Sequence, residues 1–302
     1  MNFRIKKIQL EQIDSTQDYL KQFIFNDNFN KKDKNNLEDI KVVISYEQLK
    51  GRGSNNRNWI SLKGGLYLSF NIPFFKLKLR KKYFSLISII VGAITIFSFQ
   101  RFFKNFSINI YDILQKNLRI IFPNDIVLID NNKIYKLGGI LIENYKDNLI
   151  VGIGINIFSE IANYFIQNRD FFDHFPISLK EFILKKKQDN SHIFLESDTK
   201  LINNLGTFIS SFVIFYLLNL NDELFEKVMD YLYTFDYTPY LRNIKIKYIK
   251  IIEDSFNEEV EETVERIIPD YKYLIFKIVK KNINQISQID LVNFSQIRRI
   301  FY

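Results

Sequence analysis

Apolar residues recur along this chain at two different spacings, and the changes from one to the other divide it into segments. Leu20, Phe23 and Ile24 fall at helical spacing behind Asp14 and Ser15, either of which can cap a helix over STQDYLKQFIF. The Asn- and Lys-rich run from Asn26 to Asn36 then reads as a polar surface loop. IKVVISYE predicts a strand, GGLYLSFNIP (Gly64 to Pro73) a second, and LRIIF, IVLI, IYKLGGILIE and LIVGIGINI four more. Asp130, Asn131 and Asn132 predict a hairpin turn between two of these.

The stretch YFSLISIIVGAITIFSF, Tyr83 to Phe99, is apolar on every side. It contains Ser85, Ser88, Thr95 and Ser98 and falls short of the ~20 apolar residues of a membrane span, so a core helix packed behind the sheet is expected. After Asn156 the pattern turns helical, with an exposed stretch at Lys185 to Asn190 and a helical pair from Leu201 to Tyr233. Beyond Pro239 the period returns to two, in IKIKYIKII, TVERIIPDYKYLIFKIV and INQISQIDLVNF. That predicts a small β-barrel of about 60 residues, near the lower size limit for independent stability. The fold class is therefore α+β, a mixed sheet with helices packed on it over residues 1–240, followed by a small β-barrel domain over 241–302.

Composition narrows the chemistry. The chain of 302 residues has 47% hydrophobic and 25% charged residues, a globular balance, and 30 Phe with 17 Tyr predict an aromatic-rich interior. Its 42 Lys+Arg against 34 Asp+Glu leave a net charge of +8, which favours an anionic ligand or partner without demanding nucleic acid. The absence of cysteine excludes disulfides, thiolate zinc sites and a Cys nucleophile, and two histidines, His174 and His192, exclude a His-rich metal cluster; no metal site of protein ligands is expected. The N-terminus MNFRIKKIQLEQIDSTQ lacks an apolar run before a small-residue cleavage site, so a cytoplasmic location with no membrane attachment is expected.

Three short constellations carry chemistry. In GRGSNNRNW, Gly51 and Gly53 are expected to supply backbone angles closed to other residues, and Arg52 and Arg57 add forked, permanently charged donors suited to carboxylate or phosphate. The bland alternative is a basic surface turn. In PNDIVLIDNNKIYKLGGILIE, Asn124 and Asp125 stand ahead of one strand, while Lys136 stands on the next, just before Gly138 and Gly139. Glycines inside a strand admit close approach, and the ammonium would neutralise an approaching anion. A turn and an ordinary strand lysine are the alternatives there. VGIGIN, Val151 to Asn156, ends a strand with Gly152, Gly154 and a terminal amide, or else is simply tightly packed.

With DSTQ near the start, then EQLKGRGSNNRNW, GGLYLS, PNDI, KLGGILIE and VGIGIN in this order and spacing, the sequence resembles the biotin protein ligases from Asp14 to Asn156. The resemblance is weaker at ISLKEF, at YTPYL and through the C-terminal segment. It implies a catalytic domain like that of class II aminoacyl-tRNA synthetases and a C-terminal SH3-like barrel. It also implies a two-step ligation. The biotin carboxylate attacks the α-phosphate of ATP to give biotinyl-5'-AMP and pyrophosphate. A lysine amine on a biotin carboxyl carrier protein or carboxylase biotinyl domain then attacks the mixed anhydride. Two anions meet in the first step, so cations and oriented N–H donors, with Mg2+ screening the phosphates, matter more than a nucleophile.

By resemblance, Ser15, Thr16 and Gln17 form the biotin-contacting turn and Gln48 binds the biotin head. Arg52, Gly53 and Ser54 belong to a loop closing over biotin and the adenylate, with Arg57 steadying it or reaching phosphate. Lys136 is the catalytic lysine at the biotin carboxylate and α-phosphate, assisted by Arg52, while Gly139 allows close approach. Asn124, Asp125, Gly152 and Asn156 make nucleotide contacts. Trp59 is expected to anchor the loop in the core rather than to stack on ligand.

The chain departs from the family at Ser54, where an arginine is usual, and at Ile121-Phe122, where Lys-Trp precedes Pro-Asn-Asp. Looser adenylate retention is expected, with Lys50 or Lys63 as compensating cations. The motifs begin at Asp14, so a single-function ligase without operator binding is expected, and a homodimer is compatible. The rival readings are a lipoate or octanoate ligase or transferase of the same superfamily, a catalytically decayed biotin-binding module, and nucleic-acid binding from the net charge.

Overall fold

The structure is a computed structural model. It describes residues 4–30, 40–55, 57–168, 175–186, 199–240, 244–253, 256–264, 266–271, 275–280, 289–293 and 297–301. His174, His192, residues 31–36 of the expected polar loop and residues 187–190 of the expected exposed stretch lie outside the described residues.

The body is a mixed sheet with helices on both faces. Strands β1 (Ile5–Leu10), β2 (Ile40–Ser45), β3 (Gly65–Pro73), β4 (Leu118–Ile121), β5 (Asp125–Asp130), β6 (Lys133–Tyr145) and β7 (Asn148–Asn156) run in the order β1-β2-β3-β7-β6-β5-β4. A short β8 (Phe175–Pro176) pairs with β6. The β1–β2 and β6–β8 pairs are parallel, and the others are antiparallel. Asn131 and Asn132 turn β5 into β6 with φ of 48° and 63°, as expected for asparagine in a two-residue hairpin turn.

Strands β2 and β3 are buried along their whole length because both faces are covered. On one face lies α1 (Thr16–Asn30), whose Leu20 and Ile24 pack on Val43 and Ile150. On the other lie α2 (Ile87–Phe106), α3 (Ile108–Asn117), α6 (Thr199–Asn219) and α7 (Asp222–Phe235), enclosing the main core. Between β7 and α6 come α4 (Ile161–Asn168), β8 and α5 (Leu179–Lys185). Tyr83–Phe106 and Thr199–Asn219 are long and apolar enough to cross a membrane by length and composition, yet 78% and 56% of their most apolar windows are buried inside the fold. The first is thus the core helix that its all-round apolarity predicted.

Helix α1 runs on to Asn30, so residues 26–30 are helical rather than the loop their composition suggested. Strand β1 and helix α3 were not foreseen. The described C-terminal residues form two three-stranded antiparallel sheets, which do not by themselves establish the expected barrel. One pairs β9 (Ile244–Glu253) with β10 (Phe256–Val264) and β14 (Ile297–Phe301). The other has β12 (Ile275–Val279) between β11 (Arg266–Asp270) and β13 (Ile289–Asn293). The second sheet leans on the body. Phe276 meets Phe122 edge-on at 4.7 Å, and the Tyr271 hydroxyl donates to the buried Asp236 carboxylate at 2.7 Å.

Candidate active site

Strand parity builds the floor of the site. On β7, Val151, Ile153 and Ile155 face the main core, while Ile150, Gly152, Gly154 and Asn156 share the opposite face with α1. Gly152 to Asn156 spans about 14 Å at ~3.4 Å per residue. A Cβ on Gly152 would stand 2.3 Å from Gln17 Oε1, and one on Gly154 would stand 3.0 Å from Trp59 Nε1. The alternating glycines therefore leave room for two side chains that cross the sheet, and the amide of Asn156 closes the row.

On β6 the parity changes once. Gly139 and Leu141 line the cavity, and Leu137 and Ile140 belong to the core. Lys136 pairs with Val127 and Gly138 with Ile126, which leaves Leu137 as an extra residue between them. This β-bulge reverses the alternation, so Lys136 shares the cavity face with Gly139 instead of pointing into the core. The Lys136 ammonium meets the Asp125 carboxylate at 2.7 Å and lies 5.5 Å from the centre of the Trp59 ring. Asn124 donates from its side chain to Ile140 O at 2.9 Å, and Ile140 N returns a bond to Asn124 O, which pins Asn124 beside the bulge.

The polar end sits where α1 begins. Ser15 caps the helix, its Oγ accepting from Asp18 N at 3.3 Å. Gln48 Oε1 accepts from Thr16 N at 2.8 Å and from Thr16 Oγ1 at 3.0 Å, and Gln48 Nε2 donates to Ser61. Gln17 is held between Ser69 Oγ, 3.2 Å from its oxygen, and Glu143, 2.8 Å from its nitrogen.

The loop from Gly51 to Trp59 is a tight hairpin, with Gly53 N bonded to Arg57 O and Trp59 N to Gly51 O. Neither Gly51 nor Gly53 has positive φ; Asn55, at 56°, makes the turn instead. Gly51 is needed for space, since a Cβ there would lie 2.3 Å from Trp59 O, whereas one on Gly53 would make only ordinary contacts. Arg57 donates to Ser54 through Nε to the backbone oxygen and Nη2 to Oγ, so Ser54 docks the neighbouring guanidinium. Arg52 is tied to Asp18 at 2.5 Å and to Glu143 at 2.8 Å. Partial burial would lower the Arg52 pKa, but the two carboxylates outweigh it and hold it above its ordinary value. Burial likewise pushes Glu143 up, and the bonds from Lys21 and Gln17 with the charges of Lys21 and Arg52 bring it below the usual carboxylate value.

The residues to which the resemblance gives a ligand role line one cavity of about 470 Å³, whereas Gly51 and Gly138 do not. Ser15, Thr16, Gln17 and Gln48 are at the polar end; Arg52, Gly53, Ser54 and Arg57 are on the loop; Asn124, Asp125, Lys136, Gly139, Gly152 and Asn156 are on the sheet. Lys50 and Lys63, expected to compensate for Ser54, do not line it, and Lys50 is exposed and paired with Asp14. Ile121 is buried in the main core and does not line the cavity either. Trp59 is not a core anchor: its ring lies over Gly139 and Gly154 as a cavity wall. Among the described residues its Nε1 and the Asn156 Oδ1 are buried without a hydrogen-bond partner, a donor and an acceptor turned toward the same space. Ser69, Ile161, Phe165 and Pro176 also line the cavity and were missed. The last three carry no chemical signal, since apolar residues of a cavity wall read like any core residue.

Residues 10–157 match the model of the biotin/lipoate A/B protein ligase family. The biotin protein ligase of Leishmania major in complex with biotin is similar in structure, with TM-score 0.55, 18% identity, and coverage of 87% of this chain and 98% of that one. A mutant biotin protein ligase from Aquifex aeolicus in complex with biotin has TM-score 0.55 at 18% identity, with 97% of each chain covered. The Aquifex aeolicus enzyme in complex with biotin and ATP has TM-score 0.51 at 17% identity, with 97% of each chain covered. At such identities the likeness is one of fold, a mixed sheet with helices packed on it as in biotin ligase catalytic domains.

Proposed function

The chain carries a domain of the biotin/lipoate A/B protein ligase family over residues 10–157, and from that premise we propose that it is a biotin protein ligase. On this reading it joins biotin to ATP, forming biotinyl-5'-AMP and pyrophosphate, and passes the biotinyl group to a lysine of a biotin carboxyl carrier domain in the cytoplasm. The observation that supports it is the convergence of residues from separate segments on one cavity, with Lys136 turned into it by the bulge.

The cavity is graded in polarity as such a reaction requires. Ser15, Thr16, Gln17 and Ser69 are buried polar groups at one end, able to fix a head group with several hydrogen bonds. The Trp59 ring, packed over Gly139 and Gly154, offers an apolar wall against which an alkyl chain can lie. Lys136 then stands where the chain's carboxylate meets the α-phosphate, and its positive charge stabilises the anion built up as the carboxylate oxygen attacks phosphorus. Asn124, Asn156 and the Trp59 N–H offer hydrogen bonds to the nucleotide.

A divalent ion fits this site only as a companion of the nucleotide. Among the described residues Asp125 is the one carboxylate lining the cavity, and there is no group of three or more potential ligands. Mg2+ commonly takes one or two carboxylates together with substrate phosphates, so Asp125 would supply the protein's share.

The experiment is pyrophosphate release from ATP on addition of biotin or of lipoate, followed by mass analysis for the adenylate and for biotin on an added carrier domain. Release with biotin and not with lipoate is expected. Release with lipoate alone would transfer the site to the other branch of the family, and binding of biotin without release would identify a decayed binding module.

A further inference from the structure

Glu143 lies outside the cavity, yet three groups, two of which line it, converge on this one carboxylate. Its Oε2 accepts from Gln17 Nε2 and from Lys21 Nζ, both at 2.8 Å, and its Oε1 accepts from Arg52 Nη2 at 2.8 Å. Gln17 and Lys21 belong to α1, Arg52 to the hairpin loop, and Glu143 to β6, seven residues beyond Lys136. One side chain thus ties the helix and the loop to the strand that carries the lysine.

The consequence for recognition follows from counting protons. A carboxylate only accepts, so Gln17 must turn its NH2 to Glu143 and its oxygen toward Ser69 and the cavity. Gln48 is oriented in the same way, because its oxygen accepts from the backbone N–H of Thr16. Four oxygens then form a row, Gln48 Oε1, Thr16 Oγ1, Ser69 Oγ and Gln17 Oε1, with contacts of 3.0, 2.8 and 3.2 Å. The two hydroxyls in this row supply two protons for three contacts. The polar end is one donor short, and a ligand that brings an N–H completes it.

We propose that Glu143 is a positioning residue that sets substrate choice: by fixing the Gln17 amide oxygen inward, it makes the site select a head group that donates N–H. A cyclic urea meets that demand and a dithiolane ring does not. The inference rests on the biotin reading for the identity of the head group, while the clamp on α1 and the loop stands apart from it. Without Glu143, Gln17 is free to turn its NH2 inward, the row gains its missing donor from the protein, and the preference for an N–H donor falls.

The test uses the full chain as wild type, Glu143→Ala and Glu143→Gln, with biotin and lipoate as probes and pyrophosphate release as the readout. In Glu143→Ala the KM for biotin should rise roughly tenfold or more with kcat within about threefold, and the biotin-to-lipoate ratio of kcat/KM should fall roughly tenfold. Glu143→Gln keeps one acceptor oxygen and should fall between. An unchanged KM and ratio in Glu143→Ala overturns the proposal. Amide hydrogen exchange without ligand, followed over residues 51–58, separates the two ideas: it should quicken roughly tenfold in Glu143→Ala whatever the substrate. Wild-type preference for lipoate with that quickening would overturn the biotin reading and the donor requirement but leave the clamp standing. Unchanged exchange would remove the clamp itself. Should circular dichroism show Glu143→Ala unfolded, Glu143→Gln carries both arms, with smaller changes expected in the same directions.

Discussion

Replacing Lys136 by alanine does two things at once in this cavity. On the proposed reaction it removes the ammonium from beside the attacking carboxylate and the α-phosphate, a charge-assisted contact of about 1.5 to 3 kcal/mol. It also strips Asp125 of a partner 2.7 Å away, with only 14% of the Asp125 side chain exposed. That leaves a carboxylate facing the incoming anions, and at about 4 Å with an effective dielectric of about 20 the repulsion is roughly 4 kcal/mol. Together these effects amount to roughly 5 to 7 kcal/mol, or about four to five orders of magnitude in rate. Lys136→Ala/Asp125→Asn loses the ammonium without the repulsion, so it should be up to roughly a thousandfold faster than Lys136→Ala alone. The assay is biotin-dependent pyrophosphate release under saturating ATP. A single variant at the wild-type rate would remove Lys136 from the chemistry. A double variant as slow as the single would refute the repulsion and leave the proposed Mg2+ contact as the larger part of what Asp125 supplies.

Gly152→Ala places a methyl 2.3 Å from Gln17 Oε1; moving that amide strains its bond to charged Glu143, so biotin affinity by calorimetry should weaken roughly tenfold or more, and an affinity within about twofold of wild type would contradict the packing argument. Ser54→Arg adds a guanidinium to the loop and displaces Arg57 from Ser54; biotinyl-AMP should dissociate roughly tenfold more slowly, and equal rates would show that the loop's missing charge does not matter. Asp236 is buried against Thr238 N and Tyr271 Oη, and burial pushes its carboxyl up from 3.8 to about 6. The folded state therefore binds the proton more tightly than the unfolded state. Its stabilisation is fully present below pH ~4 and lost as pH rises through about 6, on the order of 3 kcal/mol in all. Urea unfolding across that window should show stability falling with pH, and Asp236→Asn should flatten the slope; a slope unchanged in the variant would place its origin elsewhere.

Much of the fold was legible because its signals are local. The all-round apolar run at Tyr83 became the buried α2, and Asn131-Asn132 became the turn it predicted. What escaped depends on neighbours far away in the chain. IKKIQL is exposed at the sheet edge with no clean alternation, so β1 exists through its pairing with β2 rather than through its own pattern. The two C-terminal sheets have the expected period, but whether strands close a barrel is a matter of pairing, which periodicity does not encode.

The site divides in the same way. Arginine, lysine, glutamine and paired glycines announce themselves by chemistry, and Arg52, Arg57, Lys136, Gln17, Gln48, Gly53, Gly139, Gly152 and Gly154 line the cavity, while Gly51, Gly138, Lys50 and Lys63 do not. Their geometry did not announce itself. KLGG reads as a strand lysine before two glycines, and only the register with Val127 and Ile126 makes Leu137 the extra residue that turns Lys136 to the α1 face. On an unbroken alternation Gly139 and Lys136 would face opposite sides, and the cation would point into a core of isoleucines and leucines. The bulge therefore has a functional reason to persist: a lysine and a glycine three residues apart can serve one ligand on one strand only if the strand gains a residue between them. Glu143, six residues beyond Leu137 on the shifted side, inherits the same parity, which is why the carboxylate that clamps Gln17 and Arg52 stands on the face of the sheet where α1 begins.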